Sequence, residues 1–170
     1  GNLTNADSLR RELIERGSIF QSSSDSECII HLMARSLQRN IPERMEDALR
    51  RVEGAFSIVA MTRSKLIGVR DPRGVRPLVL GKVGDGFALS SETCALDIIG
   101  AEFVRDVEPG EMVVISNNGI ESIFPFRRQN SKFCIFEHVY FSRPDSIIHG
   151  QSVYETRRRI GVELAKESPI

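Results

Sequence analysis

No stretch of the 170 residues approaches the roughly 20 consecutive apolar side chains that a membrane-spanning helix needs. The opening GNLTNADSLR has neither the basic region nor the apolar run of a secretory signal. Cysteine is scarce, and the three thiols, an odd number without a C-x-x-C pair, suit a reducing compartment better than a secreted disulfide framework. An excess of one charge is missing too: 23 Lys and Arg face 23 Asp and Glu, so no overall field draws in nucleic acid or an anionic membrane. The expectation is a cytoplasmic protein with neither as partner. Also missing are a G-x-x-x-x-G-K phosphate loop, a helix carrying paired His ligands, an internal repeat and any low-complexity tract.

What is present is an ordinary globular composition, 41% hydrophobic and 27% charged, of a length for one domain or one domain plus part of another. Thr4, Asn5 and Asp7 offer caps to a first helix in which Ala6, Leu9 and Leu13 recur at helical spacing until Gly17. Ser24 stands three residues before Glu27, the spacing of a capping box, and Cys28, Ile29, Leu32, Met33 and Leu37 carry a second helix to about Asn40. Pro42 opens a third, with Met45, Leu49 and Val52 on its apolar side. After Gly54 the period changes. AFSIVAMT and KLIGVR read as strands joined at Arg63-Ser64, LVLGKV and FALSS as strands joined at Gly84-Asp85-Gly86, and MVVIS and IESIF as strands joined at Asn117-Asn118-Gly119. A short helix is expected over 92–99, a last strand at CIFEHVYF, and a final helix from near Ser152 toward Lys166. Helices, then hairpins, then a helix make the class α+β with antiparallel sheet.

Few residues make a complete site by themselves. His31 and His138 sit beside apolar neighbours and read as satisfied structural residues, while Cys28, beside Ile29 and Ile30, reads as a small buried hydrophobe, and Cys94 likewise. Asp25 either caps the second helix or, if Ser24 is the cap, projects toward a ligand. RDPRGVRPLVLG places Asp71, Pro72, Gly74 and Pro77 between two strands with Arg70, Arg73 and Arg76 beside them. It is either a fixed loop whose arginines pair with Asp71 or water, or a binding wall.

Five ordered blocks, GNLTNADSLRREL, SSSDSE, RDPRGVRPLVLG, SSETCALDIIGAEFVRDVEPGE and FEHVYFSRPDS, together resemble the amidophosphoribosyltransferase family. The first two also resemble the wider class II glutamine amidotransferases, and YFSRPDS is the discriminating segment. The resemblance implies a four-layer α/β/β/α sandwich of antiparallel sheets of the N-terminal nucleophile hydrolase type, here incomplete. Residues 1–127 would be glutaminase and 128–170 the start of a phosphoribosyltransferase domain, parted at the polar stretch RRQNSK. It implies synthesis of phosphoribosylamine from phosphoribosyl pyrophosphate and glutamine, the first step of de novo purine synthesis, by a homotetramer that uses Mg2+. The family nucleophile, a cysteine activated by its own α-amino group, falls upstream of Gly1, so the 170 residues alone are expected to be inactive. Matched motif by motif, Gly1 takes the place of the glycine in the oxyanion hole, and Asp25 that of the aspartate holding the α-amino group of glutamine. Cys134 matches a ligand of the 4Fe–4S cluster that some members carry, although no cofactor is expected in these residues themselves. Another class II amidotransferase, or a non-catalytic binding domain of the same fold, is the alternative reading.

Overall fold

The computed structural model describes residues 3–127 and 129–169. Gly1, the expected oxyanion-hole residue, lies outside them. The chain divides into two compact units, Gly1–Phe56 and Ser57–Ile170.

The first unit contains three helices. In α1 (Ala6–Glu15), Leu9 and Leu13 stand one turn apart and are both buried. Gly17, at φ +87°, ends the run: its amide donates to Ile14 O (2.8 Å) and that of Ser18 to Leu13 O (2.9 Å), which satisfies two carbonyls of the last turn. Helix α2 (Ser26–Arg35) buries Cys28, Ile29 and Leu32, and α3 (Ile41–Leu49) buries Met45, Ala48 and Leu49. Each fully buried Leu or Met stabilises the unit by about 1.5–3 kcal/mol, so these stripes hold the helices together.

Two expectations need correcting here. Helix α2 stops at Arg35, short of Asn40, because Ser36 turns extended and Leu37 finds no cover, being 99% exposed. Asn40 is instead the cap of α3, its side chain accepting from the Glu43 amide at 2.9 Å. The capping box at Ser24 does not form either. Glu27 reaches past Ser24 and accepts from the amides of Gln21 (2.7 Å) and Ser22 (2.9 Å) and from the Ser22 hydroxyl (2.6 Å).

The second unit is built on antiparallel sheet. β1 (Ser57–Met61), β2 (Lys65–Arg70), β6 (Met112–Ser116) and β7 (Gly119–Ile123) pair in the order β1-β2-β6-β7. β3 (Val79–Val83), β4 (Gly86–Ser90) and β5 (Glu102–Asp106) pair in the order β4-β3-β5. The three hairpins turn where expected: β1 pairs with β2, β3 with β4 across Gly84-Asp85, and β6 with β7 across Asn117-Asn118. The two sheets meet at Gly68, where a Cβ would lie 2.7 Å from a Leu89 methyl, over a core of Leu78, Val107 and Val113. Against the other face of the second sheet, α4 (Thr93–Ile98) sets Leu96 on Val79 and Ala101. The architecture is therefore mixed α/β with antiparallel sheets.

CIFEHVYF is not a strand. Residues Glu137–Phe141 form a π-helical turn closed by the Ser142 amide on Glu137 O (3.2 Å). Strand alternation would bury every second side chain, yet neighbours Glu137 and His138 are both buried. The Glu137 carboxylate accepts from the Ser142 hydroxyl (2.7 Å) and has Arg76 Nε 2.8 Å from its other oxygen, and the turn brings these partners to it. A two-stranded ribbon, β8 (Ile147–Ile148) and β9 (Gln151–Ser152), then leads into α5 (Val153–Glu167), capped by Ser152 on the Glu155 amide (3.3 Å).

Candidate functional site

In the first unit, the N-terminal ends of α1 and α2 converge on an open cleft of about 130 Å³, lined by Leu3, Thr4, Ala6, Asp7, Arg10, Ser23 and Asp25. Asp25 immediately precedes α2, yet its side chain makes no capping bond. Its Oδ2 accepts from the Leu3 amide at 2.7 Å, and among the described residues Oδ1 accepts nothing. A half-buried carboxylate that lines an open cleft with one oxygen anchored can take a charge-assisted hydrogen bond from a cationic donor. Asp25 thus lines an open cleft and makes no side-chain cap on α2.

The chain entering the cleft is fixed from the far end of the unit. Asn5 Nδ2 donates to Arg51 O (2.8 Å), Asn5 Oδ1 accepts from the Glu53 amide (3.0 Å), and the Thr4 amide donates to Glu53 O (2.9 Å). The segment 20–24, which ends at Asp25, is held from two sides. Arg10 on α1 donates through Nη1 to Ser22 O and through Nη2 to Ser24 O, each at 2.9 Å, and stacks over Phe20 at 4.1 Å. Glu27 on α2 takes the amides of the same segment, and the Ser22 hydroxyl followed by the Gln21 amide holds its carboxyl down to about 2. His31 sits 3.6 Å from Glu27 and 4.4 Å from the Phe20 ring. Arg10 was not singled out by sequence, although it flanks the Leu9–Leu13 stripe and faces a Ser-rich segment with few partners of its own.

Cys28 is fully buried behind this cleft, with its thiol 3.7 Å from Ala6 O. Burial pushes the thiol above its ordinary range despite the nearby Arg10, so it is a core residue and not an activated nucleophile. Cys94 is also buried, and Cys134 is half-buried ahead of the π-helical turn, its amide on Val75 O at 3.1 Å. Among the described residues no three His, Cys, Asp or Glu side chains gather as a metal site, so Cys134 and its neighbours do not form a cluster site by themselves.

The loop 70–77 is an internally fixed element, with partners different from those expected. Arg70 is 1% exposed and donates to three carbonyls: Arg76 O (2.8 Å), Val107 O (2.8 Å) and Gly74 O (3.0 Å). Asp71 accepts from the amides of Arg73 (2.9 Å) and Val75 (3.1 Å), so it is satisfied by backbone and not by guanidinium. The Arg73 guanidinium goes to Gln129, and that of Arg76 lies beside Glu137 and over the Phe141 ring at 4.3 Å.

Comparison with known proteins gives this geometry a context. Residues 1–97 match the family described as the glutamine amidotransferase domain. The chain is 50% identical to the amidophosphoribosyltransferase of Rhizobium etli, over all of this chain and 35% of that protein. It is 48% identical to the chloroplastic amidophosphoribosyltransferase of Vigna aconitifolia, over all of this chain and 35% of that protein. Among solved structures, the glutamine phosphoribosylpyrophosphate amidotransferase of B. subtilis, complexed with ADP and GMP, superimposes with a TM-score of 0.95 at 42% identity, covering 99% of this chain and 37% of that one. The chain thus spans about a third of the length of these relatives. No helix among the described residues is long and apolar enough to cross a membrane.

Proposed function

The chain belongs to the glutamine amidotransferase family, and from that premise we propose that it is the glutamine-binding part of an enzyme that makes phosphoribosylamine from glutamine and phosphoribosyl pyrophosphate. The observation that carries the reading is the Asp25 residue lining the open cleft, with its carboxylate anchored to the Leu3 amide through one oxygen. Glutamine presents an α-ammonium group, and Asp25 would hold it there. The names of the relatives, each an amidophosphoribosyltransferase, and of the solved glutamine phosphoribosylpyrophosphate amidotransferase support the second substrate, and the reaction would be the first step of purine synthesis.

The division of labour follows from chemistry. Release of the side-chain amide through an acyl-enzyme needs a nucleophile, a base and donors aimed at the developing oxyanion. Gly1 would give one oxyanion donor through its backbone. Cys28 and Cys94 are buried, and a cysteine outside these residues would attack. Mg2+ would accompany the pyrophosphate outside these residues, as would any iron–sulfur cluster, to which Cys134 would contribute a single thiolate. Residues 1–127 would be glutaminase and 128–170 the start of the phosphoribosyltransferase domain of a homotetramer. Its three free thiols favour a reducing compartment such as the cytoplasm.

The test uses the full-length enzyme carrying this chain. Asp25→Ala should raise the requirement for glutamine by about a hundredfold, the value of a lost charge-assisted hydrogen bond of about 3 kcal/mol. Activity with free ammonia, which has no α-ammonium group to hold, should change little. Equal losses with both nitrogen donors would overturn the binding role.

A further inference from the structure

We propose that Arg10 is a positioning residue for Asp25: its guanidinium, bridging the carbonyls of Ser22 and Ser24, sets the wall of the cleft from which Asp25 meets the glutamine α-ammonium group. The proposal rests on the reading of Asp25 given above. Three observations carry it. Both terminal nitrogens of Arg10 are engaged, one on each carbonyl at 2.9 Å, and the two acceptors flank Ser23, which itself lines the cleft. Although Arg10 lines the cleft, its guanidinium carbon also lies over the Phe20 ring at 4.1 Å, a contact that joins the two bonds in fixing the group against the loop. The opposite edge of the same segment is taken by Glu27, whose carboxylate accepts the amides of Gln21 and Ser22. Carbonyls are thus held from α1 and amides from α2. Phe20, in contact with Arg10 on one side and tilted against His31 at 4.4 Å, closes the ring of contacts through the 3.6 Å approach of His31 to Glu27.

This clamp answers a local problem. Gln21 and the three serines after it are all exposed, and such a segment would sample many conformations if left to water. Asp25 follows directly, so its carboxylate is only as well placed as this segment. A planar fork suits the task because two parallel N–H groups define an orientation, which a single ammonium does not.

The test is a kinetic cycle in the full-length enzyme with glutamine and with ammonia as nitrogen donor. Arg10→Gln should raise the glutamine KM about tenfold, leave kcat within about twofold, and leave ammonia-dependent turnover unchanged, as expected when one modest binding interaction is loosened. Arg10→Lys, which keeps the charge but not the fork, should show the same rise. Because Arg10 acts through Asp25, the double variant with Asp25→Asn should be no worse than Asp25→Asn alone. Full rescue by Arg10→Lys, or additive losses in the double variant, would mean that Arg10 acts on the ligand or on the fold directly, and would overturn the proposal. An unchanged KM in Arg10→Gln beside a raised KM in Asp25→Asn overturns the proposal and leaves the role of Asp25 standing. An unchanged KM in Asp25→Asn overturns the functional reading itself, and the proposal with it.

Discussion

Replacing Arg70 with Met removes a charge from the interior of the second unit, keeps most of the side-chain length, and should still be costly. Burial alone pushes the guanidinium pKa down, with Asp106 and Asp71 opposing that shift, and the group stays charged as guanidinium does in proteins. Its function is to close the loop 70–77 by satisfying Gly74 O and Arg76 O within the loop and Val107 O from a distant stretch of backbone. Methionine offers none of them a donor. Counting about 1 kcal/mol for each acceptor left unsatisfied gives about 3 kcal/mol, and a hydrogen bond to a charged donor is worth more than that mean. For a domain of this size the loss corresponds to a fall in Tm of about 10 °C. Differential scanning calorimetry on Arg70→Met measures it, with Arg73→Met as the control: the Arg73 guanidinium reaches Gln129 at an exposed site and should cost under about 0.5 kcal/mol. Equal, small shifts for the two variants would refute the account, since water would then replace Arg70 at the three carbonyls.

Gly74→Ala should destabilise by about 2–4 kcal/mol in urea melts, because φ is +59° and the new Cβ would lie 2.6 Å from Pro109 Cγ; a neutral change would show that the loop shifts freely. Glu27, depressed to about 2 from an ordinary 4.5, contributes stability that is present above pH 4.5 and lost as the pH falls toward 2. Glu27→Gln should therefore flatten the acid limb in urea melts at pH 5 and pH 3, and parallel limbs for the two proteins would exclude that contribution. Glu92→Ala removes the acceptor of the Arg143 amide (2.8 Å) and the Ser146 hydroxyl (2.7 Å) and should speed limited proteolysis within 143–147, where an unchanged rate would mean that Thr93, which accepts from the Ile147 amide, suffices alone.

The hairpins were legible because their signals are local: Gly84-Asp85-Gly86 and Asn117-Asn118-Gly119 turn the chain wherever strands flank them. Leu9 and Leu13, Met45 and Leu49 likewise declare their buried faces by spacing alone. CIFEHVYF misled because its aromatic and β-branched content is that of a strand, whereas the buried Glu137 found Ser142 and Arg76 only by coiling. Ser24 and Glu27 have the spacing of a capping box, but the amides of Gln21 and Ser22 competed for the carboxylate and won. Asp25 was marked by its motif. Its anchor, the Leu3 amide, lies 22 positions away, and no local pattern reports such a contact. The fork of Arg10 on Ser22 and Ser24 escaped for the same reason.

The claim that Asp25 holds the α-ammonium of glutamine is tested most directly by removing that group from the substrate as well as the carboxylate from the enzyme. The measurement is kcat/KM of the full-length enzyme for glutamine and for 4-carbamoylbutanoate, which is glutamine without its α-amino group, in wild type and Asp25→Asn. Wild type should prefer glutamine by about a hundredfold, and Asp25→Asn should lose most of that preference, because the two deletions remove the same interaction. A preference that survives intact in Asp25→Asn would contradict the account and place the ammonium elsewhere.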